Sequence, residues 1–325
     1  MKFKSALVLA AGLVVLSSVV LAQANPPAPP QDPNKTYTIS TKYVAGDLLK
    51  YRMKMNMNME MKGKDGSSPI PAMDIVTNMV MKMKTLKANA DGSALIESKV
   101  TDGETSVMGQ TVAMPETPAT QMEVTKDGIM KVKNLDSIPG AQAIQSMMNM
   151  NNMPTMGVLM PDHPVKIGET WSKELEGIMG AKKMKITQTL VSVDTVDGKD
   201  ILKIKQVLEM PLEIMMGDKG TPVKDAAVAM MVMTGIVNST GILSVSPDNG
   251  RFIKSDTDMV MSMVMLMKGE AAKSSPFGES MNMSMKGKML MDLISAGIAP
   301  PEPIKKAVVA TPVKKAVIKK TIKKP

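Results

Sequence analysis

Methionine recurs at every second residue in four separate stretches of this chain. Met53, Met55, Met57, Met59 and Met61 are separated by Lys54, Asn56, Asn58 and Glu60. Met79, Met81 and Met83 repeat the spacing. So do Met259, Met261, Met263, Met265 and Met267, and then Met281, Met283 and Met285. Residues two apart on a helix point about 200° from one another, so no helix gathers these side chains on one face. On a strand, residues i and i+2 share a face. The period therefore overrides the good helix propensity of methionine taken singly, and the chain reads as mainly β.

Turn chemistry falls between the runs. Asp91-Gly92, Asp127-Gly128, Asp197-Gly198 and Asn249-Gly250 each sit between apolar or alternating segments and suit turns that need positive φ. Val191–Val196 and Asp200–Val207 flank Asp197-Gly198 as a hairpin. Ile242–Val245 and Phe252–Asp258 flank Asn249-Gly250 as a second. The expected fold is a large curved antiparallel sheet or half-barrel, occupying residues 37–295. One short helix is expected over 139–150, where Pro139 suits a first turn. The segment Lys224–Met233 leans toward strand. Gly46-Asp47 before Tyr51, and Gly168-Glu169 before Trp171, suggest two pseudo-repeats, residues 37–135 and 160–295. The same spacing also fits two ordinary loop-to-strand openings. Both aromatics read most simply as core anchors.

The flanks have a different character. Lys2 and Lys4 precede an apolar run from Ala6 to Leu21, and Ala22-Gln23-Ala24 follows. This is the pattern of a signal peptide over residues 1–24, cleaved near Ala24, and it implies a periplasmic or extracellular protein. The apolar run is short for a bilayer span. Residues 25–36 form a Pro-rich linker, with five prolines between Asn25 and Pro33. Residues 296–325 read as a disordered Lys-rich tail. The formal charge is +9. The leader holds two of those charges and Pro301–Pro325 a net of seven, which leaves residues 25–300 neutral. Basicity thus belongs to the tail. Cysteine is absent, which removes disulfides, thiolate metal sites, a thiol nucleophile and a lipidated cysteine.

The leader, the glycine-acid-aromatic strand openings, the long meander and the central short helix resemble exported bacterial β-rich proteins. More distantly they resemble the half-barrel superfamily that includes lipoprotein carriers of the LolA and LppX type. That resemblance implies a curved antiparallel sheet around an apolar cavity with a helical lid. It transfers no functional residue, because no lid or cavity motif matches position by position.

Thirty-eight methionines stand against three Phe, three Tyr and one Trp. Three readings of the methionine face follow. Alternating methionine and polar residues describe a half-buried core strand. Flexible thioethers also suit an adaptable face for acyl chains or other apolar ligands. Thioethers suit Cu(I) as well, although a single His, no Cys and the interleaved lysines count against a cation site. Sacrificial oxidation needs exposure, which the alternation opposes. His163, in Pro161-Asp162-His163-Pro164, reads as a loop residue and not as Asp162's catalytic partner. Asp194, Asp197 and Asp200 lack the spacing of a calcium loop. No nucleophile elbow, phosphate loop or dinucleotide motif is present.

The sequence therefore points to an exported, non-enzymatic envelope protein without a cofactor. Its sixteen alternating methionines would bind a lipid or other apolar partner. Lys305, Lys306, Lys314, Lys315, Lys319, Lys320, Lys323 and Lys324 would attach it to anionic membrane surfaces or envelope polymers. Nucleic acid fits the same charges, but export disfavours it. The alternatives are a Met-rich Cu(I)-binding protein and a purely structural envelope protein.

Overall fold

The computed structural model describes residues 32, 34–114, 116, 118–133, 153–154, 158–175, 183–217, 223, 228–275 and 277–298. The signal segment, the expected helix over 139–150 and all eight tail lysines lie outside the described residues. The short strand β1 (Thr36–Tyr37) is followed by the long strands β2 (Asp47–Gly63), β3 (Met73–Ala88) and β4 (Ala94–Val107). Then come β5 (Gln110–Ala113), β6 (Thr120–Val124), β7 (Ile129–Val132), β8 (Met153–Pro154) and β9 (Val165–Lys166). The second half holds β10 (Thr170–Leu175), β11 (Met184–Val196), β12 (Lys199–Met216), β13 (Met231–Val245), β14 (Phe252–Met267) and β15 (Ser280–Ile298). One helix is described, α1 (Gly269–Ser274), in the connection between β14 and β15. Its six residues were not anticipated. They contain too little periodic pattern to stand out beside the methionine run that precedes them.

The four Gly-containing dipeptides each occupy a connection between antiparallel neighbours. Between β11 and β12 the register closes at Val196↔Lys199, leaving Asp197 and Gly198 as the two-residue loop. Both have positive φ, 51° and 74°. A two-residue turn that follows strand twist needs this, and Asp and Gly tolerate it. Of the described part of Lys224–Met233, residues 228–233, only Met231–Met233 is strand; Val228 lies outside it and is exposed.

All these strands except β1 and β9, which pair separately, form one antiparallel sheet. Its order is β10-β11-β12-β13-β14-β15-β2-β3-β4-β6-β7-β8, with β5 added beside β4. The sheet thus consists of two meanders, one from each half of the chain, joined where β15 pairs with β2 from Met281↔Gly63 to Ile298↔Asp47. The path is not closed into a barrel: β10 and β8 are not paired with each other.

The sheet nevertheless curls until its two wings meet. Ile96, Met122, Val124 and Val132 from one wing share a buried cluster with Leu190, Leu202, Ile204 and Val245 from the other. Val158–Met160 bridges the gap between the edges. The amide of Leu159 donates to the side-chain oxygen of Gln188 at 3.1 Å, and its carbonyl accepts from the Trp171 indole at 3.1 Å. Lys173 in β10 also pairs with Asp127, in the β6–β7 turn, at 3.3 Å. Glycines on the inner face mark the curl. A Cβ on Gly241 would stand 2.6 Å from the Asp256 carbonyl oxygen, and one on Gly287 2.7 Å from that of Asn56. Backbones this close leave no room for a side chain.

Candidate functional site

All sixteen alternating methionines fall on β14, β15, β2 and β3, four neighbours in the sheet, and the register turns them to one face. Met261 opposes Met285, Met285 opposes Met59, and Met59 opposes Met73. One step further along, Met263, Met283 and Met61 align across the same three central strands. Beyond them Met265 opposes Met281. Opposed Cβ atoms lie about 5 Å apart and successive same-face residues about 6.6 Å. The thioethers therefore form a two-dimensional array, which no single strand of the sequence displays.

This face has zones. At one end Tyr51, Met83 and Met291 are buried in the main core, with Met53 and Met81 packed against it; Met79, opposite Met53, is half-buried. The hydroxyl of Tyr51 donates to the Phe252 carbonyl at 3.1 Å, and its ring lies 5.7 Å from that of Phe252. Burial pushes the Tyr51 phenol well up, and the Tyr43 phenol up to about 12, so both remain neutral hydrogen-bonding groups. A small cavity of about 70 Å³ lies here, lined among others by Tyr43, Tyr51, Asp47 and Arg251. Arg251 donates to Asp47 at 3.0 Å on its margin. The space suits a few waters, not an acyl chain.

A polar row comes next. Gln188, Gln206, Gly241 and Thr257 follow one another across β11 to β14, and Thr77 and Thr105 continue the row on β3 and β4. Only Met289 and Met55, the centre of the row, interrupt it. The Gln188 amide donates to the Gln206 side-chain oxygen at 2.6 Å, and the Thr77 and Thr105 hydroxyls are 3.2 Å apart.

From that row toward the far end, Met55, Met57, Met59, Met61, Met259, Met261, Met263, Met265, Met283 and Met285 are all half-buried. Among them Met61, Met265 and Met283 pack against the small buried cluster at the far end. At the far end Met267 and Met281 are buried again, packed with Ala272 of α1. The sequence reading missed the neighbours that widen this face. Leu208, Met210 and Leu212 on β12 and Val237 on β13 belong to the same rows. Their signal was present as an apolar period of two, hidden because it mixes residue types.

The lysines between the methionines do not face them. Lys54, Lys286 and Lys288 are exposed on the opposite side of the sheet, as are Asn56, Asn58 and Asn282. The sequence objection that these lysines repel a cation from the thioethers is thereby corrected.

Other candidates yield less. His163 lies in an exposed loop, where Nδ1 is 2.6 Å from Asp162 and Nε2 2.5 Å from Glu169. These carboxylates raise the imidazole's pKa, Asp162 more than Glu169, in an exposed position. Asp194 and Asp200 pair with Lys203 and Lys35, as hairpin residues do. Among the described residues no group of three or more His, Cys, Asp or Glu side chains is placed to hold a metal. No described helix is long and apolar enough to cross a membrane.

No family model matches the chain, and no curated protein matches it. Among solved structures, lipovitellin, described in terms of its lipid–protein interactions, aligns over 80% of this chain at 10% identity and a TM-score of 0.45. The chain spans about a quarter (26%) of that lipovitellin chain. The Pseudomonas aeruginosa protein OccK5 (OpdH) aligns over 77% of this chain and 99% of its own at 7% identity, with a TM-score of 0.25. A mutant Rh. blastica porin aligns over 75% and 99% at 9% identity, with a TM-score of 0.21. At these values the alignments carry no argument about function. None of them supports the finer resemblance to lipoprotein carriers; a β-rich, curved antiparallel architecture is what stands.

Proposed function

We propose that this is an exported envelope protein that binds an extended apolar ligand, of the acyl-chain class, on its half-buried methionine rows. One observation carries the reading. Ten methionines on three adjacent strands stay half-buried, while the same face further along reaches a buried core at Tyr51, Met83 and Met291. An apolar surface on the inner side of a curled sheet gains by taking up an apolar partner, at about 25 cal/mol per Å² covered. Methionine suits a ligand of variable shape, because its unbranched chain repacks with little strain. No titratable side chain stands in the methionine rows, so this face would meet a partner through apolar contact. The leader supports export. The eight tail lysines would hold the protein near anionic headgroups or wall polymers, each adding about 1 kcal/mol at an anionic membrane.

Displacement of a fluorescent long-chain fatty acid tests the face. The double variant Met261→Lys/Met285→Lys should bind the probe at least about tenfold more weakly, which is about 1.4 kcal/mol. Equal affinity in the folded variant overturns the reading. Native mass spectrometry of protein purified from its own envelope should show an adduct that organic extraction removes. For the tail, a chain ending at Pro300 should bind anionic vesicles more weakly at low salt; unchanged binding removes the tether.

A further inference from the structure

We infer that Met59, Met61, Met261, Met263, Met283 and Met285 form a site for a soft monovalent cation, Cu(I) by its chemistry. The register arranges them as two rows of three across β14, β15 and β2, with Met283 and Met285 on the middle strand flanked by methionine on both sides. Any four neighbours bound a rectangle of about 5 by 6.6 Å, so its centre lies about 4 Å from each Cβ. A methionine sulfur sits two bonds beyond Cβ on freely rotating torsions, so three or four sulfurs can converge on one ion above that centre.

The surroundings select the kind of ion. Thioethers are soft, neutral ligands that prefer Cu(I) to hard cations. No carboxylate, imidazole or lysine lies in these rows. Hard divalent ions therefore find no oxygen or nitrogen ligand. A neutral donor set also disfavours a double charge in a half-buried place, where desolvation rises steeply with charge. The nearest lysines on these strands, Lys62 and Lys286, are exposed on the other face. The site is half-buried, so an ion can enter without unfolding the sheet. This inference is independent of the apolar-ligand reading: it rests on sulfur and not on apolar shape.

Substitution by leucine removes the sulfur donor and keeps volume and apolarity. The probe is Ag(I), a redox-silent soft cation, added anaerobically to the full chain and followed by dialysis and native mass spectrometry. Wild-type protein should retain at least one Ag(I), and the labelled Met methyl resonances of these six residues should shift before others. Met59→Leu/Met283→Leu/Met285→Leu should retain less than a tenth as much, in a variant whose urea midpoint shows that it is folded. No retained Ag(I) in wild type, equal retention by the leucine variant, or equal retention of Zn(II) overturns the site. If the triple variant fails to fold, the methyl shifts in wild-type protein decide alone. Shifts spread over all methionines, or none, overturn the inference.

Discussion

Leu202, Ile204, Leu243 and Val245 on β12 and β13 are at most 2% exposed. Further along the same face, on the neighbouring strands β14, β15 and β2, Met261, Met263, Met283, Met285, Met59 and Met61 are half-buried. Both ends obey the same alternation and belong to the same face. They differ in what lies above them. Over the first end the two wings of the sheet and Val158–Met160 close down, and the side chains there are mainly branched aliphatics with few rotamers. Over the second, the face is only partly covered, and the side chains are unbranched thioethers. A fixed core gains from stiff side chains because little rotamer entropy is lost on burial. A face that meets a changeable partner gains from flexible ones. The choice of residue, not the period, distinguishes the two ends.

The comparison breaks most sharply at the glycines. Gly241→Val should cost about 3 kcal/mol or more, since its Cβ would lie 2.6 Å from a carbonyl oxygen and 2.8 Å from the Thr257 Cα, neither of which can rotate away. Gly297→Ala, with nothing within 4 Å, should change stability by less than about 0.5 kcal/mol. Urea denaturation reads both; similar costs would mean that the curl at Gly241 is not fixed by packing.

Truncation of side chains comes next in size. Ile204→Ala should cost about 2–5 kcal/mol, as a cavity forms in a closed core. Met263→Ala should cost about 1 kcal/mol or less, because its surroundings are already half open. Equal losses would show that the methionine zone is core after all. Gln188→Ala lies between them, at about 1–3 kcal/mol. It strands the Leu159 amide and the Gln206 side chain at the buried start of the polar row.

These differences explain what was legible beforehand. Strand identity, the four turns and the grouping of sixteen methionines on one side followed from local rules, because i to i+2 geometry and positive-φ turns act within a few residues. The joining of β15 to β2, which turns four ladders into one array, depends on a long-range register that no local rule contains. The division into packed and half-buried methionines depends on where the wings meet, so Met83 and Met285 look alike in sequence and differ in the fold. The loop position of His163 was legible and its pairing was not, for a similar reason. Its second partner, Glu169, lies across a turn toward β10, and the pairing is set by the loop's path.

That histidine supplies the smallest expected effect and sharpens the contrast electrostatically. The methionine rows carry no titratable group, whereas the His163 loop leads directly into Val165 of the main core. Acid–base sensitivity in the neutral range should therefore come from the packed end. The imidazole's pKa is raised by Asp162 first and Glu169 second. A raised value means stabilisation that is fully present below the ordinary imidazole range, near about 6.5, and lost as pH rises through the folded value. Asp162 and Glu169 are lowered, Asp162 chiefly by His163 and Glu169 first by the Lys166 amide. Their contribution is present above about 4 and lost as pH falls through their folded values. The cluster thus contributes most between those limits. Its exposure and the screening of surface charges keep the effect small and salt-sensitive. The urea midpoint of the wild-type protein should fall between pH 5.5 and pH 8.5, and in His163→Ala that fall should flatten. Parallel curves for the two proteins would place the pH response elsewhere, and would leave the packed end as indifferent to pH as the methionine face.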